Sequence, residues 1–141
     1  MWRLALMFIV VAIVPACDRD DGPPVVAANV VVTAPAAGMP MAAGYLDISN
    51  RSGANIRITH VSSPEYESVE MHETIVEDDV ARMREIPVLE IRDGETVVFQ
   101  RGGKHLMLMR PIGTPGTVTL NFYSEDLLLL SVSADFTAAM D

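Results

Sequence analysis

The sequence has a single cysteine and few aromatic residues, and both shortages limit the architectures open to it. Cys17 is the one cysteine among 141 residues, so the chain cannot form an internal disulfide. Aromatic residues make up 6% of the chain, and its one tryptophan is Trp2. Half of the residues are nevertheless hydrophobic. The fold must therefore be stabilised by an aliphatic core, and the length allows one compact domain.

Basic residues are also scarce, and this excludes one large class of partner. Ten lysines and arginines face 19 acidic residues, which gives a formal net charge of −9. Nucleic acid binding needs a basic surface to neutralise phosphates, so no nucleic acid partner is expected. The sequence contains no nucleophile elbow, no H-E-x-x-H and no phosphate loop. We therefore predict a binding protein and not an enzyme.

The one long apolar run lies at the start of the chain. It extends over residues 4–14, directly after Arg3, and is too short for a permanent membrane span of about 20 residues. A basic residue before a short apolar run is typical of an export signal. Residues 1–16 are predicted to be a signal peptide that is removed from the mature protein.

Cys17 follows this run in the stretch "VPAC", which resembles the lipobox of bacterial lipoproteins. Lipidation of Cys17 would anchor the protein, and Asp18 resembles the signal that retains some lipoproteins at the inner membrane. The alternative is a plain cleaved signal, with Cys17 removed or left as a free thiol. Residues 17–28 contain Gly22 and consecutive prolines, and are predicted to be a lipidated tether.

The remaining segment, residues 29–141, has the pattern of short strands and turns that is typical of an all-β domain. Short runs rich in Val, Ile, Thr, Tyr and Leu alternate with turn-forming stretches such as "NRSG", "RDGE" and "RGG". No long segment has helical periodicity with caps at both ends. Eight or nine strands at this spacing predict a sandwich or a Greek-key barrel.

Histidine and methionine recur in this domain at fixed intervals. Four of them form the pattern H-x10-M-x21-H-x-M, namely His72, Met83, His105 and Met107. Residues i and i+2 of a strand point to the same face, so His105 and Met107 in "KHLMLM" can reach one point. The segment between His72 and Met83 is expected to fold back as a hairpin. Its acidic stretch, residues 76–80, is expected to be a solvated turn.

Two imidazoles and two thioethers form a soft and neutral set of metal ligands. Thioethers discriminate against hard cations and favour monovalent copper. An electron-transfer cupredoxin would instead need a cysteine thiolate beside two histidines, and the domain has none. The pattern therefore predicts a Cu(I) site.

The same pattern resembles the signature of the PCu(A)C-type periplasmic copper chaperones. The stretches "MHETIVEDDVARMR" and "GGKHLMLM" carry the resemblance, which extends over residues 29–133. It implies a cupredoxin-like Greek-key β-barrel or sandwich. It also implies a periplasmic protein that delivers Cu(I) for assembly of respiratory oxidase copper centres. The partners would be a cytochrome oxidase copper subunit or another assembly chaperone. The lipobox-like stretch adds attachment to the inner membrane through Cys17.

Several alternatives stay open on the sequence alone. A copper scavenger or resistance protein would use the same ligands as a delivery protein. Met109 shares a face with Met107 and is expected to pack, although it could replace Met107 as the ligand. Met39 and Met41 could form a methionine lip beside the metal, or could occur there by coincidence. Met71 is expected to point to the opposite face from His72, and His60 to have no metal role.

Overall fold

The computed structural model describes residues 23–34, 39–113 and 116–137, and within these ranges every regular element is a β-strand. The eleven strands are β1 (Val25–Thr33), β2 (Met41–Asn50), β3 (Ile56–Ile58), β4 (His60–Ser62), β5 (Tyr66–Glu77), β6 (Val80–Glu85), β7 (Leu89–Ile91), β8 (Thr96–Phe99), β9 (Lys104–Pro111), β10 (Thr117–Ser124) and β11 (Leu127–Thr137). The all-β prediction is confirmed.

The main sheet closes into a barrel. Strands β4, β10, β11, β1, β2, β9 and β5 pair in that order, and β5 pairs with β4 to complete the ring. Strand β8 pairs with both β2 and β9, and β6 extends the sheet outward from β5. Strands β3 and β7 form a separate two-stranded sheet. Most neighbours are antiparallel, but β1 and β11 are parallel, as are β8 and β9.

Much of the core is built by alternation of buried and more exposed residues along the strands. In β2 every second residue is buried, from Ala42 to Asn50. Aliphatic side chains fill the interior, as expected for a sheet with one buried face. The largest fully buried apolar side chains are Phe122, Leu46, Ile48, Ile58, Ile91, Leu106, Leu108, Leu120, Val32 and Val118.

The first strand begins earlier than the sequence indicated. Val25 to Ala28 pair with the end of β2, although residues 17–28 were assigned to the tether. Val25 is 3% exposed, so its side chain is part of the core. The prolines that suggested a tether end directly before this strand, and the valines that follow them have high β-propensity. The register then shifts between Ala28 and Val31, where Asn29 adopts a positive φ of 53°.

Residues 55–62 form one strand-like run in the sequence, but the structure divides them between two strands. They form β3 and β4, which belong to different sheets. Thr59 separates the two strands, and both its backbone N–H and its hydroxyl donate to the carbonyl oxygen of Tyr123. The apolar positions are 56 and 58 and then 61, so the alternation changes phase at Thr59. A change of phase does not by itself show that the chain moves to another sheet.

Candidate metal centre

The antiparallel ladder between β5 and β9 places two histidines side by side. His72 is directly opposite His105 in the register. Their ring centroids lie 6.0 Å apart, with the ring planes at 63°. His105 is buried, with 9% of its surface exposed, and the His72 side chain is 17% exposed. The two imidazoles therefore form a close pair that is largely shielded from solvent.

Alternation along β9 sends His105 and Met107 to one face and its core leucines to the other. Leu106 and Leu108 are fully buried in the barrel interior. His105 and Met107 project to the other face, and Met107 lies opposite Ala43 of β2 and Glu70 of β5. His105 and Met107 thus share a face, as expected from their spacing, and the leucines beside them pack in the core.

The β5–β6 hairpin returns the chain from His72 to Met83, as expected from the sequence. Its turn is formed by Asp78 and Asp79, with φ angles of 51° and 60°, which is the left-handed geometry of a tight hairpin turn. Met83 lies opposite Thr74, two residues beyond His72. It is 60% exposed, although methionine is ordinarily a core residue.

Met83, His105 and Met107 line one open cavity of about 300 Å³ on this face of the barrel. The other lining residues come from the end of β1, the segment before β2 and β2 itself: Thr33, Ala34, Met39, Met41, Ala42, Ala43 and Tyr45. The cavity wall thus contains four thioethers and one imidazole. His72 is not part of this wall and lies beside it through its pairing with His105.

The hydrogen bonds of the two imidazoles determine which nitrogens are available. Nδ1 of His105 lies 3.0 Å from the carbonyl oxygen of Gly103. A carbonyl oxygen only accepts, so Nδ1 carries the hydrogen and Nε2 keeps a free lone pair. Nε2 of His72 lies 2.9 Å from a carboxylate oxygen of Glu70, and the same argument leaves the lone pair on Nδ1. Nδ1 of His72 is buried and has no hydrogen-bond partner among the described residues.

Glu70 was not identified from the sequence, although its spacing from His72 could have indicated a contact between them. It lies two residues before His72 on β5, and therefore on the same face. A carboxylate beside a histidine that binds metal commonly orients the ring and fixes its tautomer. The sequence alone could not show whether Glu70 would turn towards His72 or towards solvent.

Other carboxylates near this face form ion pairs. Glu73 pairs with Lys104 at 2.8 Å, directly beside the histidine pair in the ladder. Glu77 forms a two-pronged contact with Arg84 across the β5–β6 hairpin, at 2.8 and 3.0 Å. Within residues 23–34, 39–113 and 116–137, no three His, Cys, Asp or Glu side chains are grouped as a metal site. The grouping on this face consists of imidazoles and thioethers.

The remaining candidate residues have different surroundings. Met71 is 4% exposed and points into the core, as expected. Met109 shares the outer face with Met107 but does not line the cavity. Met39 and Met41 do line it, so they lie on the same cavity wall as Met83 and Met107. His60 stacks on Tyr123, with ring centroids 4.5 Å apart.

The predicted signal peptide, Cys17 and residues 18–22 of the predicted tether lie outside the described residues. Among the residues that are described, no helix is both long and apolar enough to span a bilayer.

Comparison with known proteins supports the fold and gives the family. The model of a family described as "Putative lipoprotein LpqE-like" matches residues 25–138. No curated protein sequence matches the chain. Among solved structures, the copper-bound PCuAC domain from PmoF2 aligns with a TM-score of 0.59 at 19% identity, over 82% of this chain and 92% of that domain.

A second solved relative is DR1885 from Deinococcus radiodurans. Its Cu(I)-bound solution structure aligns with a TM-score of 0.62 at 24% identity, over 90% of this chain and 85% of that one. The apo form aligns over 98% of this chain and 96% of that one, also at 24% identity, with a TM-score of 0.57. The cupredoxin-like fold predicted from the sequence is confirmed.

Proposed function

The chain belongs to the LpqE-like family of putative lipoproteins. We propose that it is an exported Cu(I)-binding chaperone. The observation that carries the proposal is the grouping of two imidazoles and two thioethers on one face of the barrel. The proposed ligands are His72, Met83, His105 and Met107. The copper bound in the PmoF2 domain and in DR1885 gives this proposal independent support.

The proposed donor atoms follow from the hydrogen bonds of the two rings. His105 would bind through Nε2, because Nδ1 donates to Gly103. His72 would bind through Nδ1, because Nε2 donates to Glu70 and the buried Nδ1 has no partner in the described part of the chain. A buried nitrogen without a partner is unfavourable unless something binds it. A metal ion at this face would satisfy it.

The neutral ligand set explains why the cargo would be monovalent. Thioether sulfur is soft and uncharged, so it stabilises Cu(I) far better than it stabilises Mg²⁺, Ca²⁺ or Zn²⁺. The exposure of Met83 on the hairpin leaves one ligand on the solvent side. A ligand on this side can be replaced first when an acceptor protein approaches. We therefore propose a role in transfer and not in catalysis.

We propose that the recipient is a respiratory oxidase copper subunit or another assembly chaperone, and that Cys17 anchors the protein at the periplasmic side of the inner membrane. The family description as putative lipoproteins supports the anchor. The family signature in "MHETIVEDDVARMR" and "GGKHLMLM" supports the delivery role. A periplasmic scavenger would use the same ligands, so function in the cell must be tested separately from binding.

The test combines binding with transfer. Anaerobic titration with Cu(I) should give one tight site, and X-ray absorption at the copper edge should show both nitrogen and sulfur neighbours. The loaded protein should then transfer copper to the isolated oxidase subunit. A deletion strain should lose oxidase assembly when copper is limiting. Loss of survival only when copper is in excess would instead assign the protein to scavenging.

A further inference from the structure

The cavity contains more thioether sulfur than the proposed Cu(I) site uses. Four methionines line it, and two of them, Met83 and Met107, belong to the proposed ligand set. The two imidazoles and these two sulfurs already supply four donors. Met39 and Met41 are therefore two further soft ligands, on the wall of the same cavity, without an assigned role.

Met41 lies one diagonal step from the proposed site. In the β2–β9 ladder, Met41 is opposite Met109 and Ala43 is opposite Met107. Met41 and Met107 are thus diagonal neighbours on one face, at a backbone separation of about 7–8 Å that long side chains can bridge. Ala43, directly opposite Met107, adds only a methyl group to this part of the cavity wall.

Met39 lies two residues before Met41 in the chain and also lines the cavity. It is 50% exposed, and the neighbouring backbone is held against β9 because Arg110 N–H donates to the carbonyl oxygen of Pro40 at 2.9 Å. A methionine that fills a gap in the core is buried, as Met71 is at 4% exposure. Met39 and Met41 instead line an open wall, which core packing does not explain.

We propose that Met39 and Met41 form a second, weaker Cu(I) position at the mouth of the cavity, through which copper enters and leaves the inner site. The inference rests on the proposed Cu(I) function and adds a route to it. As copper moves outward, a bond from Cu(I) to the Met41 sulfur forms while the bond to the Met107 sulfur breaks. The metal stays monovalent, and each ligand is neutral before and after the exchange.

The direct test uses the full mature protein with ¹³C-labelled methionine methyl groups, titrated with Ag(I) as a redox-inert stand-in for Cu(I). The methyl signals of Met83 and Met107 should shift with the first equivalent. Those of Met39 and Met41 should shift with the second. The methyl signal of Met71, which faces the core, should remain in place throughout and serves as the internal control.

A kinetic test uses the transfer of Cu(I) from the loaded protein to a chromogenic Cu(I) chelator, followed by stopped flow. The double variant Met39→Leu and Met41→Leu keeps volume and apolar character while it removes both sulfurs. We expect transfer to slow several-fold, with the equilibrium affinity of the inner site unchanged. Met71→Leu is the matched control and should change neither quantity.

The outcomes separate this inference from the proposed function. If Met83 and Met107 respond to Ag(I) while Met39 and Met41 do not, even in excess, the second position is refuted and the inner site stands. A shift of all four methyl signals with the first equivalent would also refute a separate position. If Met83 and Met107 do not respond, the proposed site itself is wrong. Equal slowing by Met71→Leu would show that the kinetic effect is unspecific.

Discussion

At the scale of single residues, two methionines of β9 have the same orientation but different surroundings. Met107 and Met109 share the outer face, yet only Met107 lines the cavity with His105 and Met83. Sequence spacing alone could not separate them, because both lie an even number of residues from His105. Their different positions lead to opposite expectations for the same conservative substitution.

We predict that Met107→Leu lowers Cu(I) affinity by at least about tenfold, since losing even an outer-shell partner of a metal site costs about 10–100-fold. Met109→Leu should leave the affinity nearly unchanged. Both substitutions keep side-chain volume, so melting temperatures should change little. Competition with a Cu(I) chelator measures the affinity, and X-ray absorption counts the sulfur neighbours. If copper kept the same number of sulfur neighbours in both Met107→Leu and Met83→Leu, the proposed site would be wrong.

The contact between Glu70 and His72 leads to a second expectation at this scale. Because Nε2 donates to Glu70 at 2.9 Å, the carboxylate holds the ring with its Nδ1 lone pair free. Glu70→Ala should let the ring rotate and change tautomer, and Cu(I) affinity should fall by about 10–100-fold. Long-range ¹H–¹⁵N NMR of the apo protein reports the tautomer directly. Glu73→Ala is the control, because Glu73 pairs with Lys104. An unchanged His72 tautomer in Glu70→Ala would contradict the positioning role.

At the scale of strands, β9 holds the core and the site together. Its inward residue Leu108 is fully buried, while Met107 beside it faces the cavity. We predict that Leu108→Ala lowers the free energy of unfolding by about 2–5 kcal/mol, through lost burial and the cavity left behind. Molecules that remain folded should bind Cu(I) with the normal sulfur count. Urea unfolding measures the stability, and Val98→Ala, at a 45% exposed position of β8, is the control. A loss below about 0.5 kcal/mol, the range of surface substitutions, would contradict the packing role.

Strand β5 begins with a buried tyrosine whose hydroxyl has no hydrogen-bond partner among the described residues. Burial, followed by the charge of Glu65, raises the pKa of Tyr66 above its usual 10.0. The folded state therefore keeps the proton more strongly than the unfolded state does. This contribution to stability is complete below pH 10 and is lost as the pH rises through the higher folded-state pKa.

We predict that Tyr66→Phe removes this alkaline loss of stability. At neutral pH it should leave the free energy of unfolding equal or higher, by up to about 2 kcal/mol, because an unpaired buried hydroxyl is removed. Urea unfolding at neutral pH and above pH 10 measures both effects. Tyr45→Phe, on the cavity wall, is the control. A clear loss of stability at neutral pH would show that the Tyr66 hydroxyl has a favourable interaction.

At the scale of the whole molecule, we propose separate tasks for the barrel and for the segment that precedes it. The barrel holds the proposed site, and Cys17 is proposed to hold the barrel at the membrane. We predict that the mature wild-type protein fractionates with membranes and that Cys17→Ser releases it into the soluble periplasmic fraction. Mass spectrometry of the mature chain should show acyl groups on Cys17. A wild-type protein found wholly in the soluble fraction would rule out the anchor.

The sequence by itself determined the all-β class and the separation of the two faces of β9. Both depend on alternation with a period of two, which local residue order specifies. The return of the chain between His72 and Met83 was also expected, from the spacing of the two proposed ligands. The predicted ligand set rests on the same local order and on the family signature, and it stays a prediction until copper binding is measured.

Which strands lie next to each other depends on the tertiary structure. The pairing of His72 with His105, the position of Met41 diagonal to Met107, and the choice of Met107 over Met109 for the cavity wall all depend on the registers of β5, β9 and β2. Those registers join residues far apart in the chain, and they follow from closing the whole sheet around one core. The contact from Glu70 to His72 likewise required side-chain packing, because a carboxylate near a surface can turn to water as readily as to a neighbouring ring.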